Sequence, residues 1–244
     1  MIKKFFVTLL ATAAFITGCK SDDDNKELSV EQRNSLDDQA IEEYLTQHYF
    51  NPINGKIVKF DKIEGNEDDS YPRIIDYAIK DPAGYYYAMR PGVEANGPSV
   101  VNNDSSQILI SYEAKTFQAT TDTATYKNHY GLISPYDNTI NVSDGSGKKD
   151  PSFYYYPLTD AQIEKGIKRE HIELANFVEA LKKFKATGTN GTDLYNFQGV
   201  IILPSRLAYG RNKMFNGTSI TDRHQFRETS FIFNFELHQV TPRQ

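Results

Sequence analysis

The chain has 244 residues and a net charge of -5, so it can bury one sizeable core with a small appendage. Its mild acidity shows no basic stripe, which argues against nucleic acid as a partner; it reads instead as a solvated surface. Sixteen Tyr and 15 Phe with no Trp suit an aromatic-rich β-sheet, and a single cysteine excludes an intramolecular disulfide.

The first residues read as a targeting segment. Lys3 and Lys4 precede an apolar run, Phe5 through Ile16, that is too short for a stable membrane-spanning helix. The run ends in Ile16-Thr17-Gly18-Cys19, which resembles a bacterial lipoprotein signal with Cys19 as the lipidated residue. Residues 1–18 are then a signal peptide, and the anchor is a set of acyl chains worth roughly 0.8 kcal/mol per buried CH₂. A buried free thiol is the other reading of Cys19. Lys20-Ser21-Asp22-Asp23-Asp24-Asn25 reads as a self-repelling tether, residues 19–34 in all, and is similar to the acidic export signal of Bacteroidetes surface lipoproteins. The localisation these features imply is the outer membrane, on its periplasmic face or at the cell surface.

Further along, Ser35 or Asp37 is positioned to cap a helix running to about His48. Ala40, Ile41, Tyr44 and Leu45 give it one apolar face. Short extended pieces are expected at Lys56–Phe60 and Ile74–Ile79. Strands are expected at Gly84–Met89 and at Gln107–Tyr112, where apolar and polar residues alternate. Residues 127–152, rich in Asn, Asp, Gly, Ser and Lys, read as a long loop, and Ser152–Tyr156 as a short aromatic strand. Thr159-Asp160 caps a short helix containing Ile163 and Ile167. Phe177, Val178, Leu181 and Phe184 mark a helix from about Ala175 to Phe184 that lies on the sheet. Phe197–Leu203 reads as a buried strand. In Phe231–Leu237, Phe231, Phe233, Phe235 and Leu237 share one face, and Ile232, Asn234 and Glu236 the other. The fold class is α+β, with one helix against a bent antiparallel sheet.

Val200-Ile201-Ile202-Leu203-Pro204-Ser205-Arg206-Leu207-Ala208-Tyr209-Gly210, a polar loop, and then Phe231 to Leu237 resemble the last part of an FKBP-type peptidyl-prolyl cis-trans isomerase. The resemblance covers residues 84–240. It implies an FKBP-like domain at 84–244, preceded by a helical and extended segment at 35–83. Position by position, it implies that Tyr209 donates its hydroxyl to a bound carbonyl and that Phe233 and Phe177 floor a proline pocket. Tyr112 and Phe153 would line that pocket, and the backbone N–H of Leu174 would be a second donor. Plain core packing is the other reading of Phe177 and Phe233, and Tyr155 the alternative to Phe153. The family's phenylalanine-aspartate pair falls at Asp122-Thr123, where Asp122 could serve as the aspartate or be a solvated loop acid. The proline-rich stretch before the last strand is absent, leaving Ile220 as the apolar candidate there. Glu173 replaces an apolar residue at the pocket rim.

Such a site needs no metal and no cofactor. The barrier to amide rotation, about 18–20 kcal/mol, comes from resonance that a twisted amide lacks. An apolar pocket with few, well-aimed donors therefore favours the twisted state. The implied activity is prolyl isomerisation on proline-containing segments of exported proteins. The alternatives are a catalytically weak peptide-binding module, as a holdase or a subunit of a surface complex, and a surface glycan binder. The five histidines, at 48, 129, 171, 224 and 238, lack the close spacing of a zinc site.

Overall fold

The computed structural model describes residues 27–244, apart from Lys62, Asn66, Glu94, 141–146 and 192–194. The signal peptide, Cys19 and the acidic run after it lie outside the described residues. Among those described, no helix is long and apolar enough to cross a membrane.

The chain opens with α1 (Val30–Thr46), started by a capping box in which the Ser29 hydroxyl accepts from Gln32 N and the Gln32 side chain accepts from Ser29 N. The helix therefore begins ahead of the expected cap, inside the stretch read as linker. Ser35 and Asp37 sit within it, and Asp37 is turned inward. A small hairpin follows, β1 (His48–Phe50) with β2 (Ile57–Lys59). Ile74–Asp76 is a 3₁₀ turn rather than an extended piece.

One antiparallel sheet organises what remains. Among the described residues its strand order is β3 (Ile79–Lys80), β4 (Tyr86–Met89), β8 (Gly199–Leu203), β11 (Ser230–Pro242), β5 (Ser106–Phe117) and β6 (Ser134–Asn138), with β7 (Lys148–Lys149) also on β5. The connecting elements are α2 (Thr123–Tyr126), α3 (Asp160–Glu164, with a Thr159 capping box), α4 (Ala175–Leu181) and the hairpin β9 (Met214–Phe215) with β10 (Ile220–Thr221). The expected division at residue 84 falls in the turn joining β3 to β4, within this sheet.

Two expectations change for physical reasons. The 127–152 stretch is not all loop: β5 is longer than its alternating core suggested, and its free side recruits β6 and β7. Residues 152–156 are not a strand. Pro151 lends its carbonyl to both Tyr154 N and Tyr155 N, which folds the chain into a turn.

The sheet is buried on both faces. On one, Phe231, Phe233, Phe235 and Leu237 of β11 meet Phe177, Val178 and Leu181 of α4. On the other, Ile232 of β11 and Val200 and Ile202 of β8 meet Leu36, Ala40, Ile41, Tyr44 and Leu45 of α1. Gly199 allows close packing at the centre: a Cβ there would stand 2.4 Å from Ala88 O and 2.7 Å from a Phe184 ring carbon. Two polar residues of β11 on the α1 face, Asn234 and Glu236, are satisfied rather than solvated. Asn234 accepts from Ile57 N (3.0 Å) and donates to Gly55 O (3.1 Å) and Gly199 O (3.0 Å), locking the β1–β2 hairpin to the sheet. Glu236 accepts from Asn196 N and from the hydroxyls of Thr187 and Thr189.

Asp37 joins α1 to the start of the Tyr209 turn. Its Oδ2 accepts from Ser205 N (2.9 Å) and Ser205 Oγ (2.5 Å), and it is fully buried. Burial pushes its carboxyl up to about 6, against the opposing pull of the Ser205 bonds. The folded state therefore holds this proton more tightly than the unfolded chain. The contribution to stability is complete below the unfolded pKa, near 4, and is lost as pH rises through about 6. In urea melts, the stability of the wild type relative to Asp37→Asn should rise by on the order of 2–3 kcal/mol between pH 7 and pH 4. A flat difference across that window would refute this account.

Candidate functional site

Four separated parts of the chain each send one ring to the same place. Phe177 comes from α4, Phe233 from β11, Phe153 from the turn after Pro151, and Tyr112 from β5. Phe177 and Phe233 have centroids 4.6 Å apart, Phe153 and Phe233 5.0 Å, Phe153 and Phe177 5.1 Å, and Tyr112 and Phe153 5.2 Å. The Phe153 pairs with Phe177 and Tyr112 are edge-to-face, the favoured arrangement of ring quadrupoles. Tyr209 stands one ring further out, against Phe231 (5.7 Å), which stacks in turn on Phe233 (6.0 Å).

The polar atoms of this group are engaged within the protein. Tyr209 Oη donates to Ile172 O at 2.6 Å. Leu174 N donates to Phe153 O at 2.7 Å. Tyr112 Oη donates to Asp137 Oδ2 at 2.5 Å. Burial, reinforced by neighbouring acidic or phenolic groups, holds both tyrosine hydroxyls well above their usual pKa, so both remain neutral donors. Phe177, Phe233 and Tyr112 are 0% exposed and Tyr209 is 3% exposed, so the space between the rings is filled by the rings themselves.

Ile172-Glu173-Leu174 acts as a clasp on this arrangement. Ile172 O holds Tyr209, and Leu174 N holds Phe153. Glu173 lies between them. Its Oε1 accepts from Tyr156 N (2.6 Å) and Arg169 Nε (2.6 Å), and its Oε2 from Asn103 Nδ2 (2.9 Å). A carboxylate at this rim is thus explained: it gathers three donors, two of which it shares with Tyr154 O and Asp104.

Two other sequence candidates lie elsewhere. Asp122 caps α2, accepting from Thr125 N at 3.0 Å, and hydrogen bonds to that turn hold its carboxyl below the usual range. Ile220 is half-buried in the β9–β10 hairpin, paired with Phe215. Conversely, sequence reasoning passed over Tyr136 and Asp137 on β6. Tyr136 packs on Phe153 (6.3 Å), Phe231 (5.0 Å) and Phe226 (5.2 Å), while Asp137 accepts from Tyr112. This aromatic-acid pair was the available signal; it stands well downstream of Asp122, inside the stretch read as loop. Among the described residues no group of three or more His, Cys, Asp and Glu side chains is arranged to hold a metal ion.

Removing the clasp carboxylate should weaken the hold on three half-buried donors. Glu173→Ala is expected to lower the unfolding free energy by about 2 kcal/mol, read from denaturant midpoints, because the acceptor they share is lost. A loss under about 1 kcal/mol would show that water replaces it freely.

No protein-family model matches the sequence, and no curated protein matches it. Among solved structures, the chain is similar to FkpA from Escherichia coli, at 18% identity and a TM-score of 0.34, over 68% of this chain and 52% of FkpA. It is also similar to a peptidyl-prolyl cis-trans isomerase from Pseudomonas syringae pv. tomato, at 13% identity and a TM-score of 0.34, over 67% of this chain and 80% of that one. The match thus spans about half the length of FkpA. Both are remote likenesses in shape, and neither transfers a residue role or an activity to this chain.

Proposed function

We propose that the chain carries an FKBP-like domain acting as a peptidyl-prolyl cis-trans isomerase on proline-containing segments of exported or envelope proteins, held at the outer membrane by lipid on Cys19. The observation that supports the activity is the convergence of Tyr112, Phe153, Phe177 and Phe233, from four distant parts of the chain, with Tyr209 one ring further out against Phe231. An aromatic hollow with one or two donors favours a twisted imide over a planar one and needs no nucleophile. Uncatalysed isomerisation takes about 10–100 s, slow enough to limit folding.

In this reading the site rests closed. Opening it breaks the Tyr209–Ile172 and Leu174–Phe153 hydrogen bonds, at about 1 kcal/mol each. About 2 kcal/mol reduces the open population, and so the apparent affinity, roughly thirtyfold. Turnover is therefore weak. The same internal bonds favour a second reading, a peptide-binding module without useful catalysis.

A protease-coupled proline-peptide assay separates these readings. On the first, the wild type accelerates isomerisation, Phe233→Ala loses about tenfold or more, and Tyr209→Phe falls by a similar factor as its donor disappears. No acceleration, with calorimetric binding of the proline peptide but not its alanine analogue, would select the binding module. Neither turnover nor binding would end both readings. For the anchor, the wild type expressed in a lipidating bacterium should incorporate an alkyne-tagged fatty acid and Cys19→Ala should not. Equal labelling of the two would remove the lipid anchor from the proposal.

A further inference from the structure

The turn that carries Tyr209 has a second side, away from the rings. There α1, residues 205–212 and the approach to β11 enclose a cavity of about 180 Å³. Arg33, Arg206 and Arg211 line it, with Glu228 as the lining carboxylate and Val30 at its edge; Asn34, Ser205, Gly210 and Asn212 complete it, and its apolar surface comes from Val30 and the arginine stems. We infer that this cavity binds the carboxylate of a small acid with an apolar tail, either a free monocarboxylate or the C-terminal residue of a polypeptide.

Arg33 carries the argument. It is only 9% exposed. One terminal nitrogen donates to Ala119 O (2.6 Å) and the other pairs with Glu228 (3.2 Å). Its Nε is buried and makes no hydrogen bond. A buried cationic donor without an acceptor is costly, and a small shift of the Arg33 side chain that brought Nε to a ligand oxygen would remove the cost.

The charges limit the ligand. Glu228 is shared by two guanidinium groups, those of Arg33 and Arg211. Arg206 pairs with Asp38 at 2.8 Å. Three positive charges thus face two carboxylates. Glu27 approaches Arg211 only at 3.7 Å and pairs more closely with Arg227. Asp37, the remaining acid nearby, bonds to Ser205 and also attracts Arg33 and Arg206, so it offsets part of the positive charge when ionised. One monoanion is accommodated, and a dianion would meet repulsion from Glu228. Guanidinium forks match the planar geometry of a carboxylate, and the apolar wall suits a short carbon tail. Glu228 itself is held at φ +53°, its N–H donating to Gly210 O at 2.9 Å, a backbone strain placed at the cavity's own acid.

The test is isothermal titration of the full chain with N-acetyl-leucine, a pentapeptide ending in leucine, the amidated form of each, and inorganic phosphate. Both free acids should bind, and the amides and phosphate should bind at least about tenfold more weakly. Tighter binding of the pentapeptide would identify a chain terminus as the source, and equal binding a free acid. Arg211→Gln should lose about tenfold or more with its thermal transition retained. Val30→Phe, which fills the cavity and leaves the arginines intact, should abolish binding. Amides binding as well as acids, phosphate binding more tightly, no binding at millimolar concentration, or unchanged affinity in both variants would overturn the inference. It stands apart from the isomerase reading, since the titration requires no turnover.

Discussion

Burial of β11 on both faces is the constraint from which the remaining structure follows. A strand sandwiched in this way cannot leave polar groups to water. Its front face is therefore three phenylalanines and a leucine, packed against α4. Its back face is mixed: Asn234 is matched to the β1–β2 hairpin and the sheet and Glu236 to the segment from 187 to 196, while the buried Ser230 hydroxyl makes no hydrogen bond. A register shift between Leu237 and Gln239 places His238 at a bulge, where it meets Ser111 and Thr189. The N-terminal helix is thus part of the same packed body, because it covers the back face that the front helix cannot reach.

The ring cluster inherits its closure from that body. Phe233 is fixed by β11, Tyr112 by β5 and Phe177 by α4. Only the turns at 153 and at 205–212, with the Ile172-Glu173-Leu174 clasp, lie outside regular structure. Both expected donors end on carbonyls of these segments. Any opening must therefore occur there, while the floor remains rigid. The proposed carboxylate cavity shares the 205–212 turn from its other side.

Much of this was legible in the residues. The alternation in Phe231–Leu237 assigned both faces of β11 correctly, and the spacing of Phe177, Val178 and Leu181 placed α4 on the sheet. Other features were hidden for local reasons. Ser134-Pro135-Tyr136-Asp137-Asn138 has turn composition, yet it is a strand because β5 offers a free edge to pair with. Tyr136 and Asp137 were passed over with it. Ser152–Tyr156 has strand composition, yet Pro151 bends it. The true start of α1 was signalled by Ser29 and Gln32, a capping box obscured by the acidic run before it.

By itself, the sequence determined which residues are rings, which stretches repeat every two or every 3.6 positions, and therefore which faces are apolar. Those are properties of neighbours along the chain. Tertiary structure alone decided that Tyr209 spends its hydroxyl on Ile172, that Leu174 spends its N–H on Phe153, and that Asp137 stands beneath Tyr112. Each of these bonds joins residues far apart in the chain, so its existence depends on how strands and turns meet, and no local pattern encodes it.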